Sequence, residues 1–219
     1  MTDQETKALL CELLRVFYDK NWVSGTGGGI CGPTEDGNLF LAPTGVHKER
    51  VKPEDFFVVS PGDGSVVTPA GDPSLRPSEC NSIFCTVARA RGARSVVHSH
   101  ALSAVLAAEF AGTGRNLLLS GFEMLKGIRG VSNTDVHVVP LILNRPRESQ
   151  LTDQIEQVLA DPKLGSSFCI LVKDHGAYIW GDDVWEAKRH TEVYHWLFEA
   201  VVARAHHTAL AENEPNTRS

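Results

Sequence analysis

The sequence predicts a layered α/β domain in which helices cover a mixed sheet. Amphipathic helical stretches interleave with short apolar runs along the whole chain, the pattern that packs helices onto a sheet. Two of those runs, 167–172 and 177–180, flank the tight connection Lys173-Asp174-His175-Gly176 and read as a hairpin. That pairing argues against a purely parallel sheet. The 219 residues show no repeat and no linker, and fit a single domain over 1–210 with a flexible tail over 211–219.

Each element has its own signal. Over 5–20, Leu9, Leu10, Leu13, Leu14, Val16 and Phe17 recur at helical spacing, and Asn21 ends the run. Ser24-Gly25-Thr26-Gly27-Gly28-Gly29 then demands a turn or a close backbone approach. Residues 39–42 read as a strand that runs into a second loop, Pro43-Thr44-Gly45-Val46-His47-Lys48. A strand over 55–60 is closed by the turn Pro61-Gly62-Asp63-Gly64. Pro77 and Ser78 open a helix that runs to about Arg91. A short buried strand over 95–98 leads into His98-Ser99-His100, and 101–110 is an alanine- and leucine-rich helix. A short helix or turn is expected at 123–126, a strand at 136–139 and an amphipathic helix at 148–160. Asp183 caps a long last helix reaching about His206.

Bulk properties narrow the function. A net charge of −6, with no basic run, points away from nucleic acid and from acidic membrane surfaces. The polar, acidic start Met1-Thr2-Asp3-Gln4-Glu5 is unlike a signal peptide, and five cysteines without a pairing pattern fit reduced thiols. A cytoplasmic enzyme is the expectation.

The chemistry concentrates at His98 and His100. On a strand, residues i and i+2 point to one face, so both imidazoles reach one point, half a site for zinc or another borderline divalent cation. His175, in the tight connection before Gly176, is the candidate third ligand; its plain alternative is a histidine that caps the hairpin. The other histidines fit less well. His190 and His195 lie inside the last helix, facing solvent or a helix neighbour; His206 and His207 lie near its end; His137 sits in a strand; His47 belongs to a loop suited to substrate. The glycines at 25, 27, 28 and 29 let backbone N–H groups crowd around an anion, with Thr26 and Thr44 adding hydroxyls and Lys48 a charge. Neither loop has the Walker pattern, and each alone is also an ordinary turn. Glu123, after Gly121-Phe122 and before Met124-Leu125, is the acid/base candidate if partial desolvation raises its pKa. An exposed glutamate at a helix start is the alternative.

Taken in order, S-G-T-G-G-G at 24–29, A-P-T-G-V-H-K-E-R at 42–50, Ser78-Glu79-Cys80, V-V-H-S-H at 96–100, E-M-L-K-G-I at 123–128 and K-D-H-G-A-Y-I-W-G at 173–181 resemble the class II aldolase/adducin family over about 5–205. The resemblance implies a three-layer α/β/α fold with a mixed, mostly antiparallel sheet and assembly as homotetramers with sites near subunit interfaces. It implies one zinc ion per subunit on His98, His100 and His175, and Glu123 as catalytic acid/base. It also implies substrate contacts from Cys80 and a phosphate held by Gly25, Thr26, Gly27, Gly28, Thr44, Gly45, Lys48 and Ser78. Within the family the segments at 24–29 and 123–128 and Cys80 look most like a dehydratase branch of methionine salvage. That branch takes water from the ketose 5-methylthioribulose 1-phosphate and leaves 2,3-diketo-5-methylthiopentyl 1-phosphate. Aldolases of the family carry a glutamate base near Cys80. Either Cys80 or Glu79 falls at its position, and a thiol there implies that retro-aldol cleavage is lost. A sugar-phosphate aldolase or epimerase, and a non-catalytic adducin-like binding protein, are the competing expectations.

Overall fold

The computed structural model describes residues 1–111, 116–164 and 167–212. Helix α1 (Asp3–Asp19) starts on a capping box. The Thr2 hydroxyl accepts from the Glu5 N–H, and the Glu5 carboxylate accepts from the Thr2 N–H. Past its end Asn21 takes a left-handed φ of 59°, which asparagine tolerates. Strands β1 (Gly29–Pro33), β2 (Leu39–Leu41), β3 (Phe57–Val59) and β4 (Val66–Thr68) follow, then α2 (Asn81–Arg91), β5 (Ser95–Ser99) and α3 (Leu102–Ala108). The second half holds β6 (Asn116–Leu119), β7 (His137–Ile142), α4 (Thr152–Ala160), β8 (Cys169–Val172), β9 (Gly176–Gly181) and α5 (Val184–Glu212). Short 3₁₀ turns occupy Glu123–Gly127 and Glu148–Leu151.

Among the described residues the strands form one nine-stranded sheet in the order β4-β3-β2-β1-β5-β9-β8-β7-β6. Neighbours are antiparallel except for the parallel pair β7–β8. The expected mixed, mostly antiparallel sheet is therefore present. Side chains alternate between its faces. Val96, Ile170, Val172, Tyr178 and Trp180 pack against Ile83 and Phe84 of α2 and Ile155 of α4. On the other face Cys169, Leu171, Ala177 and Ile179 meet α3 and α5 through Ala104, Ala107, Tyr194 and Leu197. Toward β1 and β2 that same face is covered by α1, with Leu10, Leu14 and Phe17 on Ile30, Phe40 and Val97. Helices on both faces explain why β8 and β9 are buried at every residue. No helix among the described residues is long and apolar enough to cross a membrane.

Several elements differ from the sequence reading. β1, β4 and β6 lie outside the predicted strands. β1 (Gly-Ile-Cys-Gly-Pro) has no period-2 pattern, and pairing with β2 and β5 makes it a strand. Helix α2 starts at Asn81, because Ser78 spends its hydroxyl on the Cys80 N–H at 3.2 Å and Pro77 bridges back to Pro43. β7 continues through Pro140 to Ile142, and the 148–160 helix opens as a 3₁₀ turn. Helix α5 runs to Glu212, across the boundary expected at 210; residues 213–219 of the expected tail lie outside the described residues. His190 and His195 are fully buried rather than solvent-facing. His190 Nδ1 bonds the Trp180 carbonyl at 2.7 Å, and the His195 ring stacks on Trp22 with centroids 4.4 Å apart.

Candidate metal centre

Strand pairing builds the centre. His98, next to last in β5, lies opposite Tyr178 of β9. A cross-strand pair shares a face, and the two rings stack at 4.1 Å with 5° between their planes. His100 follows two residues on, its N–H donating to the Trp22 carbonyl at 2.8 Å. His175 sits in the β8–β9 turn, where Asp174 takes a φ of 55° and the His175 N–H donates to the Val172 carbonyl at 3.2 Å. Pairing of Ala177 with Ser99 sets that turn against the end of β5. Gly176 is required there: a Cβ would overlap the Ser99 carbonyl oxygen and lie 2.9 Å from its carbon.

The three imidazoles converge through Nε2. The separations are 2.8 Å for His98–His100, 3.1 Å for His100–His175 and 3.2 Å for His98–His175. His98 Nδ1 faces the Ala177 carbonyl at 3.1 Å, and His175 Nδ1 faces the Asn144 side-chain oxygen at 2.9 Å. Both partners are acceptors, so the ring protons sit on Nδ1 and the Nε2 lone pairs face inward. Burial, and then the neighbouring rings of His98 and His175, push the His100 pKa down to about 3. Lone pairs crowded at one point in this way suit a divalent cation.

Glu148 completes the cluster. Its Oε1 lies 3.1 Å from His175 Nε2 and 3.4 Å from His98 Nε2, and its Oε2 accepts from the Tyr178 hydroxyl. The Tyr178 hydroxyl also lies 3.7 Å from Cys80 Sγ. Cys80 is buried, which pushes its thiol up to about 12 and keeps it protonated. Glu79 is exposed, so Cys80 is the residue of that pair that borders the centre.

The two glycine loops and the segment before α2 come together beside the histidines. A Cβ on Gly27 would lie 2.7 Å from His100 Cε1, and one on Gly28 2.7 Å from the His98 carbonyl oxygen. The Lys48 amine, buried rather than free, donates to the Thr26 carbonyl at 2.8 Å and the Val46 carbonyl at 3.2 Å. It ties the loops to each other, and burial lowers its pKa. The Thr44 N–H donates to the Arg76 carbonyl at 3.0 Å, which draws in Ser78. Gly25 and Gly45 take left-handed φ values of 65° and 69° at the exposed crests.

Glu123 is not part of this cluster within one chain. β5, β7 and β8 end, and β9 begins, on the histidine side of the sheet; β6 runs the other way and ends opposite His137. The Glu123 turn follows β6, so it lies at the far end, where Gly127 accepts from Arg189 and Arg129 pairs with Asp182. The expected desolvation is absent here. Glu123 is exposed, and hydrogen bonds from Lys126 and then Asn133, each 2.7 Å, lower its pKa instead of raising it. No local pattern in the sequence marks Glu148, Asn144 or Tyr178, which the fold brings to the histidines. Asn144 and Glu148 follow β7, and only the order β9-β8-β7 brings them to His175.

Residues 8–202 match the family model described as Class II Aldolase and Adducin N-terminal domain. The chain is 37% identical over 205 residues to the "Methylthioribulose-1-phosphate dehydratase" of Osmerus mordax, covering 91% of this chain and 83% of that protein. It is 35% identical over 225 residues to the "Probable bifunctional methylthioribulose-1-phosphate dehydratase/enolase-phosphatase E1" of Arabidopsis thaliana. That alignment covers 97% of this chain and 44% of the plant protein, so the chain spans about half the length of such bifunctional relatives. Among solved structures, the L-fuculose-1-phosphate aldolase from Thermus thermophilus superposes with a TM-score of 0.68 at 19% identity, over 98% of this chain and 100% of that one.

Proposed function

The chain belongs to the class II aldolase and adducin family, and we propose that within it this protein removes water from 5-methylthioribulose 1-phosphate. The product is 2,3-diketo-5-methylthiopentyl 1-phosphate, an intermediate of methionine salvage. The observation that carries the reading is the convergence of His98, His100 and His175 through Nε2, on a chain related along most of its length to proteins named for that reaction. His98, His100 and His175 would hold one zinc ion. When bound, zinc would supply Lewis-acid polarisation of the ketose carbonyl, which acidifies the neighbouring C–H.

The protein's own groups do the rest. Backbone N–H groups of 25–28 and 44–45, with Ser78 and the Thr26 and Thr44 hydroxyls, grip the phosphate. Lys48 braces both loops from beneath, and its charge adds to the local field. Phosphate binding fixes the ketose and turns remote binding energy into orientation. The protonated thiol of Cys80 borders the sugar chain. Glu123 takes the C3 proton and returns a proton to the departing C4 hydroxyl. The C3–H electron pair forms the C3=C4 bond, the C4–O bond breaks and water leaves. The resulting enol tautomerises to the diketone. Since Glu123 lies across the sheet from its own histidines, the Glu123 that acts at a site is delivered by another copy, which makes the homotetramer the working unit. The reaction belongs in the cytoplasm.

The test is to incubate metal-loaded protein with 5-methylthioribulose 1-phosphate and follow the products by NMR. A diketone phosphate that disappears after chelation is the expected result. Cleavage to dihydroxyacetone phosphate and an aldehyde would identify an aldolase instead. No turnover by loaded protein would remove this substrate.

A further inference from the structure

We propose that Glu148 is a fourth protein ligand of the metal centre, closing it in the absence of substrate and yielding its place when substrate arrives, with Tyr178 as the positioning residue that aims it. The inference rests on the metal reading above and goes beyond the three-histidine set.

The argument turns on which histidine atoms the carboxylate faces. A carboxylate that merely orients a metal-bound histidine accepts a hydrogen bond from the ring nitrogen turned away from the metal. On His98 and His175 that nitrogen is Nδ1, and it is already taken by the Ala177 carbonyl and the Asn144 side chain. Glu148 Oε1 approaches the other nitrogen, Nε2, of both rings. It therefore shares the metal's side with them. Four ligand atoms, three nitrogens and one oxygen, lie within 4.8 Å of one another, a donor set that zinc takes as a tetrahedron.

Hydrogen bonding leads to the same conclusion. Oε2 has its donor in Tyr178. With the ring protons on Nδ1, Oε1 faces lone pairs at His98 and His175, and a half-buried anion needs a cation or a donor there. A cation between Oε1 and the three Nε2 atoms satisfies all four. Tyr178 is suited to aim the group. It is fully buried, its ring is clamped flat against His98, and its hydroxyl holds the one carboxylate oxygen that points away from the histidines.

A metal closed by four protein ligands is a structural site, whereas a catalytic one keeps a position open. Glu148 is placed to give that position up. It stands on a 3₁₀ turn rather than in a strand, and Tyr178 is the hydroxyl that holds it. A substrate that chelates through two oxygens displaces the carboxylate, which swings aside on Tyr178.

The test uses the full chain loaded with Co²⁺, which occupies zinc sites and reports its ligands in the visible spectrum. Wild type, Glu148→Gln and Tyr178→Phe are compared by chelator competition and by spectrum, then titrated with acetohydroxamate as a small chelating anion. Glu148→Gln is expected to weaken Co²⁺ binding by at least the ~10–100-fold that loss of an outer partner costs. It should also alter the spectrum, and bind acetohydroxamate more tightly at equal metal loading because no carboxylate must be displaced. Tyr178→Phe keeps the ring against His98 and should lose less affinity. Identical affinity and spectrum in wild type and Glu148→Gln would overturn the proposal while leaving the three-histidine site standing. A wild-type chain that takes up no Co²⁺ would overturn the metal reading itself. Should Glu148→Gln fail to fold, Glu148→Asp keeps the charge and shortens the arm; an unchanged spectrum there would equally overturn the assignment.

Discussion

Replacing Gly27 by alanine separates the site from the fold. Gly27 has no left-handed φ, so alanine adopts its backbone without strain and the substitution is purely steric. The added Cβ would lie 2.7 Å from His100 Cε1 and overlap Nδ1. Ordinary carbon–carbon contact is about 3.5–4.0 Å, so the imidazole must retreat by about 1 Å. The obstacle is a side chain rather than backbone, so the ring moves and the fold stays. His100 Nε2 now sits 2.8 Å from His98 Nε2 and 3.1 Å from His175 Nε2, and a retreat of about 1 Å takes it out of reach of an ion held by the other two. Misplacement on this scale costs about 100-fold in turnover, or about 2.7 kcal/mol of transition-state stabilisation. Metal content by mass spectrometry, kcat with 5-methylthioribulose 1-phosphate and a thermal melt are measured on one preparation. Metal and kcat should fall together while Tm in the presence of chelator holds. Full metal and wild-type kcat would refute the reasoning, because the loop would then be free to step back from His100.

Three more outcomes are expected. Substituting His98 or His175 by alanine should release zinc, and full occupancy in either variant would strike that residue from the ligand set. Glu123→Gln should slow turnover by about 10²–10⁴. Co-expressing it with His98→Ala chains should restore activity to about one quarter of wild type, because random mixing gives a half-chance of each partner; no restoration would mean that Glu123 works within its own chain. The third concerns acid stability. Burial pushes the His195 pKa down to about 3, and among the described residues neither ring nitrogen has a partner. An unfolded histidine titrates near about 6.5. Between those values the unfolded chain holds a proton that the folded chain refuses, so stability is whole above about pH 6.5 and falls as pH drops, by up to ~1.4 kcal/mol per unit. Urea melts from pH 7 to pH 5 should show this loss, and His195→Leu should flatten the slope by about one proton; an unchanged slope would show that His195 takes up its proton in the folded state.

The parts of the molecule legible in the sequence were those written in local periodicity. The α1 stripe, the β8–β9 hairpin and the i, i+2 pair at His98 and His100 each follow from spacings of a few residues. His175 is legible as a candidate because a tight turn after an apolar run is a common place for a working residue, and the fold sets it beside His98 and His100. What depends on strand order was hidden. Glu148 and Asn144 reach His175 only because the parallel β7–β8 pair puts the end of β7 beside the hairpin. Strand order also places Glu123 at the opposite end of the sheet, which no local pattern at 121–125 conveys. Lys48 reads as a free charge in its loop, yet the fold turns its amine onto the Thr26 and Val46 carbonyls.

The stack of Tyr178 on His98 makes the centre a gauge of strand alignment. Side chains on a strand alternate faces, so a slip of one residue between β5 and β9 sends Tyr178 to the opposite side of the sheet. The same slip withdraws Tyr178 from His98 and Glu148 and carries the β8–β9 turn out of line with the end of β5. A mispaired central sheet is therefore blind to metal. During refolding, the moment at which an ion is captured would time the correct pairing of two segments whose histidines lie 77 residues apart, and an ion supplied early would favour chains that had aligned in the right frame.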